Sequence, residues 1–164
     1  MVARLPARPG RAGRVPPGHG TLGTMSTDAH VAVVRRIFGD AWNRAEFEGV
    51  ADAIDDGAVF NHRGASWVTG FAELRHLVTA WRRAFPDLHF TIDDLVAEGD
   101  RVAARLTFTG THQGEWKGLA ATHRRIRVDE MMFFRFADGR VVEIWEVDDE
   151  HALWEQLRPD GATA

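Results

Sequence analysis

The amino-acid sequence predicts an α+β fold, a cone-shaped barrel in which three to four N-terminal and C-terminal helices pack on a curved antiparallel or mixed sheet. Apolar residues recur at helical spacing up to Pro86, and then alternate at a period of two between residues 88 and 148. A last helical segment follows at 149–157. Helices, then a run of strands, then a closing helix are typical of an α+β domain. The open mouth of such a cone is a natural ligand cavity.

The composition is that of one globular domain and excludes several classes of function. The chain has 164 residues, 45% of them hydrophobic, and a formal net charge of −4. It has no Cys, which excludes disulfides, thiolate zinc sites and cysteine nucleophiles. A mildly acidic chain lacks the surplus of cations that nucleic-acid binding requires, and no apolar run is long enough to span a membrane. We therefore expect neither a nucleic acid nor a membrane as partner.

Residues 1–24 differ in composition from the rest of the chain. They are rich in Pro and Gly, contain no acid, and carry four cations, Arg4, Arg8, Arg11 and Arg14. This pattern predicts a disordered extension, because little apolar surface is available to offset the entropy of ordering. A targeting segment and a short nucleic-acid tether are the alternatives. The folded domain is expected over 25–158, a flexible tail over 159–164, and the location in the cytoplasm.

The first part of the domain reads as three helices and one short strand. A helix over 28–43, capped by Ser26 or Thr27, buries the stripe Val34, Ile37, Phe38, Ala41 and Trp42. A short second helix is predicted over 47–55 and a short strand over 58–62. A third helix starts at Thr69-Gly70 and stops at Pro86. Its apolar stripe consists of Phe71, Leu74, Leu77, Val78, Trp81 and Phe85.

The second part reads as four strands and a closing helix. Alternation and β-branched or aromatic residues predict strands over 88–97, 101–110, 124–136 and 140–148. Gly99-Asp100 and Asp138-Gly139 are turn signals between them. The closing helix is predicted over 149–157.

The last hairpin carries the candidate catalytic carboxylates. One face of its first strand holds a single acid among apolar residues, and consists of Ile126, Val128, Glu130, Met132, Phe134 and Phe136. One face of its second strand consists of Val142, Ile144, Glu146 and Asp148. Two carboxylates in an apolar setting cannot both stay charged cheaply, so one is expected to hold a proton and act as an acid while the other acts as a base.

The length of the hairpin turn decides which residues face each other. A three-residue loop, Ala137-Asp138-Gly139, would place Glu130 directly opposite Glu146, and it is favoured because it keeps the apolar stripes together. A two-residue turn, Asp138-Gly139, would place Met131 opposite Glu146 instead. A competing interpretation makes Glu146 one acid of a solvated strand end that precedes the last helix.

Other candidate site residues are aromatic or lie at the ends of strands. Asn61 and His62 end a strand beside a Gly-containing loop and could reach the cavity, with His62 as a third candidate catalytic residue. The candidate substrate-binding residues are Asn61, Trp42, Trp67, Trp116, Met132, Phe134 and Ile144. Trp42 also lies on a helical stripe that needs no ligand, whereas Trp116 lies in a loop. The eight His show no spacing typical of metal ligands, so no metal site is predicted.

Several short motifs, in order over residues 28–158, give the chain a family resemblance. They are Phe85-Pro86-Asp87-Leu88, Ala97-Glu98-Gly99-Asp100-Arg101-Val102, Gly110-Thr111-His112-Gln113-Gly114, and the closing stretch from Arg135 to Glu146 followed by Leu153 to Leu157. Together they resemble the SnoaL-like polyketide cyclases (ester cyclases) of the nuclear transport factor 2-like superfamily. The resemblance implies the cone fold, an apolar pocket and cofactor-free acid–base chemistry on a small hydrophobic, polyketide-like ligand.

The resemblance also assigns roles to two positions of the last hairpin. Family members use an Asp after the Trp of the last strand, assisted by a His on the preceding strand. The first position is Glu146 here, a carboxylate one methylene longer, and the second falls on Met132, which cannot move protons. A homodimer is implied as well, through the sheet face that carries Arg125, Arg127, Met131 and Phe133.

Three functions are consistent with these observations. The first is an enzyme in which Glu146 is a general base for ring closure or isomerisation of a hydrophobic carbonyl compound, with Glu130 or His62 donating to the developing oxyanion. The second is a hydrolase or hydratase of the same fold, in which a carboxylate activates water and Glu130, Glu146 and the amide of Asn61 supply the polar groups. The third is a non-catalytic small-molecule-binding or dimerisation module, because a fold does not fix a function.

Overall fold

The structure, a computed structural model, describes residues 26–158, and the predictions for the two tails lie outside the described residues. Three α-helices pack on one curved six-stranded sheet, which confirms the predicted α+β fold. The helices are α1 (Thr27–Arg36), α2 (Phe71–Ala84) and α3 (Glu150–Leu157). The strands are β1 (Ile54–His62), β2 (Ala65–Val68), β3 (His89–Glu98), β4 (Arg101–Thr111), β5 (Arg125–Ala137) and β6 (Arg140–Asp148). None of the helices within the described residues combines the length and apolarity that crossing a bilayer requires.

The sheet is mixed and open. Its strand order is β2-β1-β6-β5-β4-β3, and the two edge strands do not pair to close a barrel. Strands β1 and β6 run parallel, while the other neighbouring pairs are antiparallel. The sheet therefore places β1, β6 and β5 side by side.

The predicted first helix is confirmed and changes its winding partway. The Ser26 hydroxyl accepts a hydrogen bond from the Ala29 backbone N–H at 3.3 Å and caps α1. The chain then continues in π-helical winding from Ile37 to Trp42. Such stretches are rare and occur often at functional sites. Here the π-helical segment supplies Ile37, Phe38 and Trp42 to a cavity described below.

The predictions for residues 47–68 are partly wrong. The segment 47–55 forms only a 3₁₀ turn, Ala51–Ala53, and β1 already begins at Ile54. Ile54 pairs with Val141 on β6, so a contact distant in sequence overrides the local helical pattern. Strand β2 was not predicted, because all four of its residues are exposed and show no alternation of buried and exposed positions.

The β5–β6 hairpin adopts neither of the two predicted registers. A two-residue turn, Asp138-Gly139, has both residues at positive φ (49° and 78°) and pairs Ala137 with Arg140. A bulge then leaves Val142 without a partner on β5. The extra residue brings Glu146 and Asp148 onto the same face as Glu130 and Met132. Met132 therefore lies opposite Glu146, and Glu130 lies opposite Asp148.

Two expectations for this hairpin are therefore corrected. Glu130 and Glu146 share the inner face as predicted, but they are diagonal rather than direct neighbours. Val141, not Val142, is the buried residue at the turn end of β6. A bulge moves a single position to the other face without changing the rest of the strand.

Substituting Gly114 with Ala is expected to destabilise the fold. The backbone N–H of Gly114 donates to the Ala84 carbonyl at the end of α2, and a Cβ at this position would overlap the Arg83 carbonyl oxygen. Overpacking of this kind costs about 1–3 kcal/mol. Thermal unfolding checks the prediction, with Gly39→Ala as the control because the nearest atom to its added Cβ is 4.0 Å away. An unchanged melting temperature for Gly114→Ala would show that the loop can move away from α2.

Candidate active site

A cavity of about 200 Å³ lies between the inner face of the sheet, α2 and the π-helical segment. Its wall is mostly apolar and rich in aromatic side chains, which are Phe38, Trp42, Phe60, Trp67, Trp81, Phe90, Phe108, Trp116 and Phe134. Ile144 and Met132 add aliphatic surface from β6 and β5. Such a wall favours a flat, hydrophobic ligand, since apolar pockets bind by removing apolar area from water.

One end of the cavity is polar and is built by three neighbouring strands. Glu146 and Asp148 come from β6, Glu130 from β5 and His62 from β1, and all four line the cavity. In the parallel β1–β6 pair, His62 lies beside Glu146, while on the other side of β6 Met132 lies opposite Glu146. The strand register thus gathers two further carboxyl groups and one imidazole around Glu146.

The pKa of Glu146 is raised to about 7. Burial, which penalises the charged form, is the largest cause. The charge of protonated His62 lowers the pKa of Glu146. The charge of Asp148 raises this pKa, and the charge of Lys117 lowers it. A carboxyl with this pKa is present as acid and as base at neutral pH, which is the condition that general acid–base catalysis favours.

The pKa of Glu130 is raised well above its usual range. Burial is the largest cause, followed by the negative charges of Glu146 and Asp148. Only 3% of Glu130 is exposed, and its Oε1 has no hydrogen-bond partner among the described residues. Burial and the neighbouring negative charges thus favour the protonated form of Glu130, whose Oε1 is still available for a ligand.

Replacing Glu146 with Gln is expected to stabilise the protein above pH 7. The pKa of Glu146 is about 7 in the folded protein, above its value in the unfolded chain. Such a group stabilises the fold fully only below its unfolded pKa, and this contribution is lost as the pH rises through about 7. The amide has no charge to bury. The melting-temperature difference between variant and wild type should grow between pH 4.5 and 7 and then level off. A difference that does not depend on pH would contradict the raised pKa.

The mouth of the cavity carries the single lysine of the chain, Lys117. Its Nζ lies 2.8 Å from Glu150 Oε1 at the start of α3, and Glu150 also pairs with Arg63 from the β1–β2 turn. Trp116, beside Lys117, reaches into the cavity and contacts Trp81 with ring centroids 4.0 Å apart. The buried Nε1 of Trp116 has no hydrogen-bond partner among the described residues.

The structure brings together all but one of the residues proposed from the sequence. Those that line the cavity are Glu146, Glu130, His62, Trp42, Trp67, Trp116, Met132, Phe134 and Ile144. Asn61 does not line it: its Nδ2 donates to the Ile144 carbonyl at 3.1 Å, and its Oδ1 accepts from Ser66 Oγ at 2.7 Å. Asn61 therefore joins β1 to its two neighbouring strands rather than facing the cavity.

Sequence reasoning missed further residues of the site, among them Asp148, Trp81 and Lys117. Asp148 alternates with Glu146 on β6, a signal that could have identified it as a cavity residue. Trp81 was read as core only, since its helical stripe needs no ligand. Lys117 carried no pattern, because its position depends on a loop conformation with positive φ (47°). Among the described residues, no cluster of three or more His, Asp or Glu side chains is arranged to hold a metal ion.

Comparisons with known proteins agree with this architecture. The sequence model of the SnoaL-like polyketide cyclase family matches residues 32–157. AclR from Streptomyces galilaeus, described as a candidate hydroxylase, is 32% identical over 80% of this chain and 97% of its own, with a TM-score of 0.72. IdmH from Streptomyces antibioticus, described as a candidate polyketide cyclase, is 26% identical over 77% of this chain and 96% of its own, with a TM-score of 0.68. No curated protein matches the chain.

Proposed function

The chain belongs to the SnoaL-like polyketide cyclase family, and we propose that it is an enzyme whose general base is Glu146. The base removes a proton alpha to a carbonyl of a hydrophobic, polyketide-like substrate, and ring closure or isomerisation follows without a cofactor. The observation that carries this proposal is a carboxyl with a pKa of about 7 in an apolar, aromatic cavity.

The apolar wall and the polar end have separate tasks in this reaction. The aromatic side chains hold the carbon skeleton and bring the reacting atoms together, which lowers the entropic barrier of ring closure. The apolar surroundings keep the pKa of Glu146 high, so that its carboxylate is a stronger base than an exposed one. Cavity and carboxyl together favour a substrate with a weakly acidic C–H next to a carbonyl.

The proposed ring closure balances without any added reactant. The carboxylate of Glu146 takes the alpha proton, and the enolate carbon forms a bond to a second carbonyl carbon of the same molecule. The electron pair of that carbonyl moves to its oxygen, which takes a proton from the carboxylic acid of Glu130. Transfer of the first proton from Glu146 to Glu130 then restores both groups. In isomerisation, the enolate is instead reprotonated at another carbon.

Exchange of alpha protons tests the base directly, with 2-tetralone, a bicyclic aromatic ketone, as the probe. Proton NMR in deuterated water is expected to show faster loss of its alpha signals with the protein than with buffer. Glu143→Gln, which changes a carboxylate on the same strand that pairs with Arg135 outside the cavity, should exchange like the wild type. Wild-type protein that exchanges no faster than buffer would contradict the proposal.

Activation of water is the second candidate function. The several polar groups at one end of the cavity favour it, because addition of water to a substrate is redox-neutral and needs only a base and a proton donor. The placement of Asn61 outside the cavity removes the amide that this alternative was expected to use. Incorporation of oxygen-18 from labelled water into a product would support this reaction over ring closure.

We further infer that the protein forms a homodimer through the outer face of β5 and β6. Two directly opposed pairs, Met131 with Val147 and Phe133 with Trp145, form an exposed apolar patch there. Their exposed fractions are 57%, 70%, 52% and 40% respectively. Apolar patches on a surface mark interaction sites, and a two-fold dimer can bury the same patch on both copies.

Replacing Phe133 with Asp should therefore produce a monomer. A charge in the centre of the patch would have to be desolvated without a partner in the dimer. Light scattering after size exclusion measures the mass, which is expected to be about twice 18.3 kDa for the wild type. Val68→Asp, at an exposed position on the edge strand β2, is the control and should stay dimeric. A monomeric wild type would contradict the inferred dimer.

A further inference from the structure

Asp148 has no role in the reaction proposed above, yet it makes the shortest polar contact at the polar end of the cavity. His62 Nε2 lies 2.9 Å from Asp148 Oδ1. The side chains are largely buried, with 23% of His62 and 12% of Asp148 exposed. Both line the cavity, and they come from the parallel strands β1 and β6. The contact therefore joins two elements within the site.

The register of the strands explains why the site needs this contact. Glu146 has one in-register neighbour on each side of β6, Met132 on β5 and His62 on β1. A thioether cannot carry a proton, so His62 on β1 is the in-register neighbour of Glu146 that can exchange protons with water. His62 is the last residue of β1 and precedes a turn with positive φ at Arg63 and Gly64. A side chain at a strand end needs a partner to fix its orientation.

We propose that Asp148 is a positioning residue that holds His62 beside Glu146 as a proton carrier. A carboxylate only accepts hydrogen bonds, so the ring nitrogen that it contacts, Nε2, bears a hydrogen. In neutral His62, Nδ1 then keeps a lone pair that can take up a proton and release it. This is the arrangement in which a second residue fixes the tautomer of a functional imidazole.

This inference rests on the proposed function for its effect on the reaction. After Glu146 has taken an alpha proton from the probe ketone, that proton must be replaced by a deuteron from solvent before exchange is observed. His62 is partly exposed and neighbours Glu146, so it can carry deuterons between water and the carboxyl group. Without a correctly oriented imidazole, Glu146 returns the same proton to the substrate and exchange slows.

A double-mutant cycle on the exchange of 2-tetralone tests this dependence, at pH 8.5, which lies above the pKa of about 7 of Glu146 in the wild type. His62→Gln should slow exchange about 10²-fold, the lower range for a positioned proton carrier. Asp148→Asn should slow exchange roughly 10-fold in the wild-type background and less than about 2-fold in the His62→Gln background. The two effects do not add, because the two residues act together. Equal losses in both backgrounds would overturn the positioning role. Asp129→Asn, on the outer face of β5, is the control.

A second measurement needs no activity and keeps the two proposals separable. Long-range proton–nitrogen spectra of ¹⁵N-labelled protein report which ring nitrogen of neutral His62 carries the hydrogen, with His62→Gln used for assignment. The wild type should show a protonated Nε2 whose hydrogen is visible, and Asp148→Ala should lose that signal to exchange with water. A hydrogen on Nδ1 would overturn this proposal. Wild-type protein without ketone exchange would contradict the proposed function, while the spectrum would still decide the His62–Asp148 pair.

Discussion

Replacing Glu146 with Gln is expected to slow alpha-proton removal by about 10³–10⁴-fold, the upper range for loss of a general base. The amide has nearly the shape of the carboxyl group but cannot accept a proton at neutral pH. The cavity wall is unchanged, so binding of 2-tetralone should persist. The exchange rate measures the first effect, and quenching of tryptophan fluorescence by the bound ketone measures the second.

Glu146→Asp provides the matched comparison. It keeps a carboxylate but moves it one methylene back toward β6, so it should retain part of the activity that Gln loses. A Gln variant that exchanges as fast as the wild type would remove Glu146 from the reaction. A variant that loses binding as well as exchange would show that the substitution disturbs the cavity.

Replacing Glu130 with Leu is the second large effect, and it should lower the rate by about 10²–10³-fold, as expected for loss of one oxyanion donor. Glu130 is buried, its raised pKa favours the protonated form, and it lies on the same inner face as Glu146. Leu fills a similar volume but cannot donate a hydrogen bond to an enolate oxygen. The steady rate of exchange at pH 7–8 measures the loss.

Glu130→Gln separates hydrogen bonding from packing. Its amide N–H can still donate, so its rate should lie between those of the wild type and Glu130→Leu. Asp129→Asn, at the neighbouring position on the outer face of β5, should leave the rate unchanged. If Leu and the wild type react equally fast, the donor to the oxyanion is another group, and His62 is then the candidate.

Alternation and helical spacing predicted the inner faces of this protein, because both patterns follow from burial. The stripe on α2 and, except at Val142, the inner faces of β5 and β6 lie where periodicity placed them, and this brought Glu130 and Glu146 into one cavity. The register between β5 and β6 could not be predicted in the same way. It depends on the bulge at Val142. Together with the two-residue turn, this bulge leaves Glu130 and Glu146 on the same face of the sheet, as a three-residue loop would.

Residues that belong to the site through three-dimensional contacts were the hardest to identify. His62 was a weak candidate at a strand end, and the parallel pairing of β1 with β6, a long-range feature, places it beside Glu146. Lys117 and Glu150 meet across the cavity mouth although 33 positions separate them in sequence. Neither residue shows a periodic signal, so no local pattern could indicate the contact.

The most direct test of Glu146 as the general base is an NMR titration of its side-chain carboxyl carbon, assigned by its absence from Glu146→Gln. We expect a midpoint at about pH 7, since burial in the aromatic cavity penalises the charged form. A midpoint at about 4.3, the value of a solvated glutamate, would contradict this role. The cavity would then be that of a binding protein rather than of an acid–base enzyme.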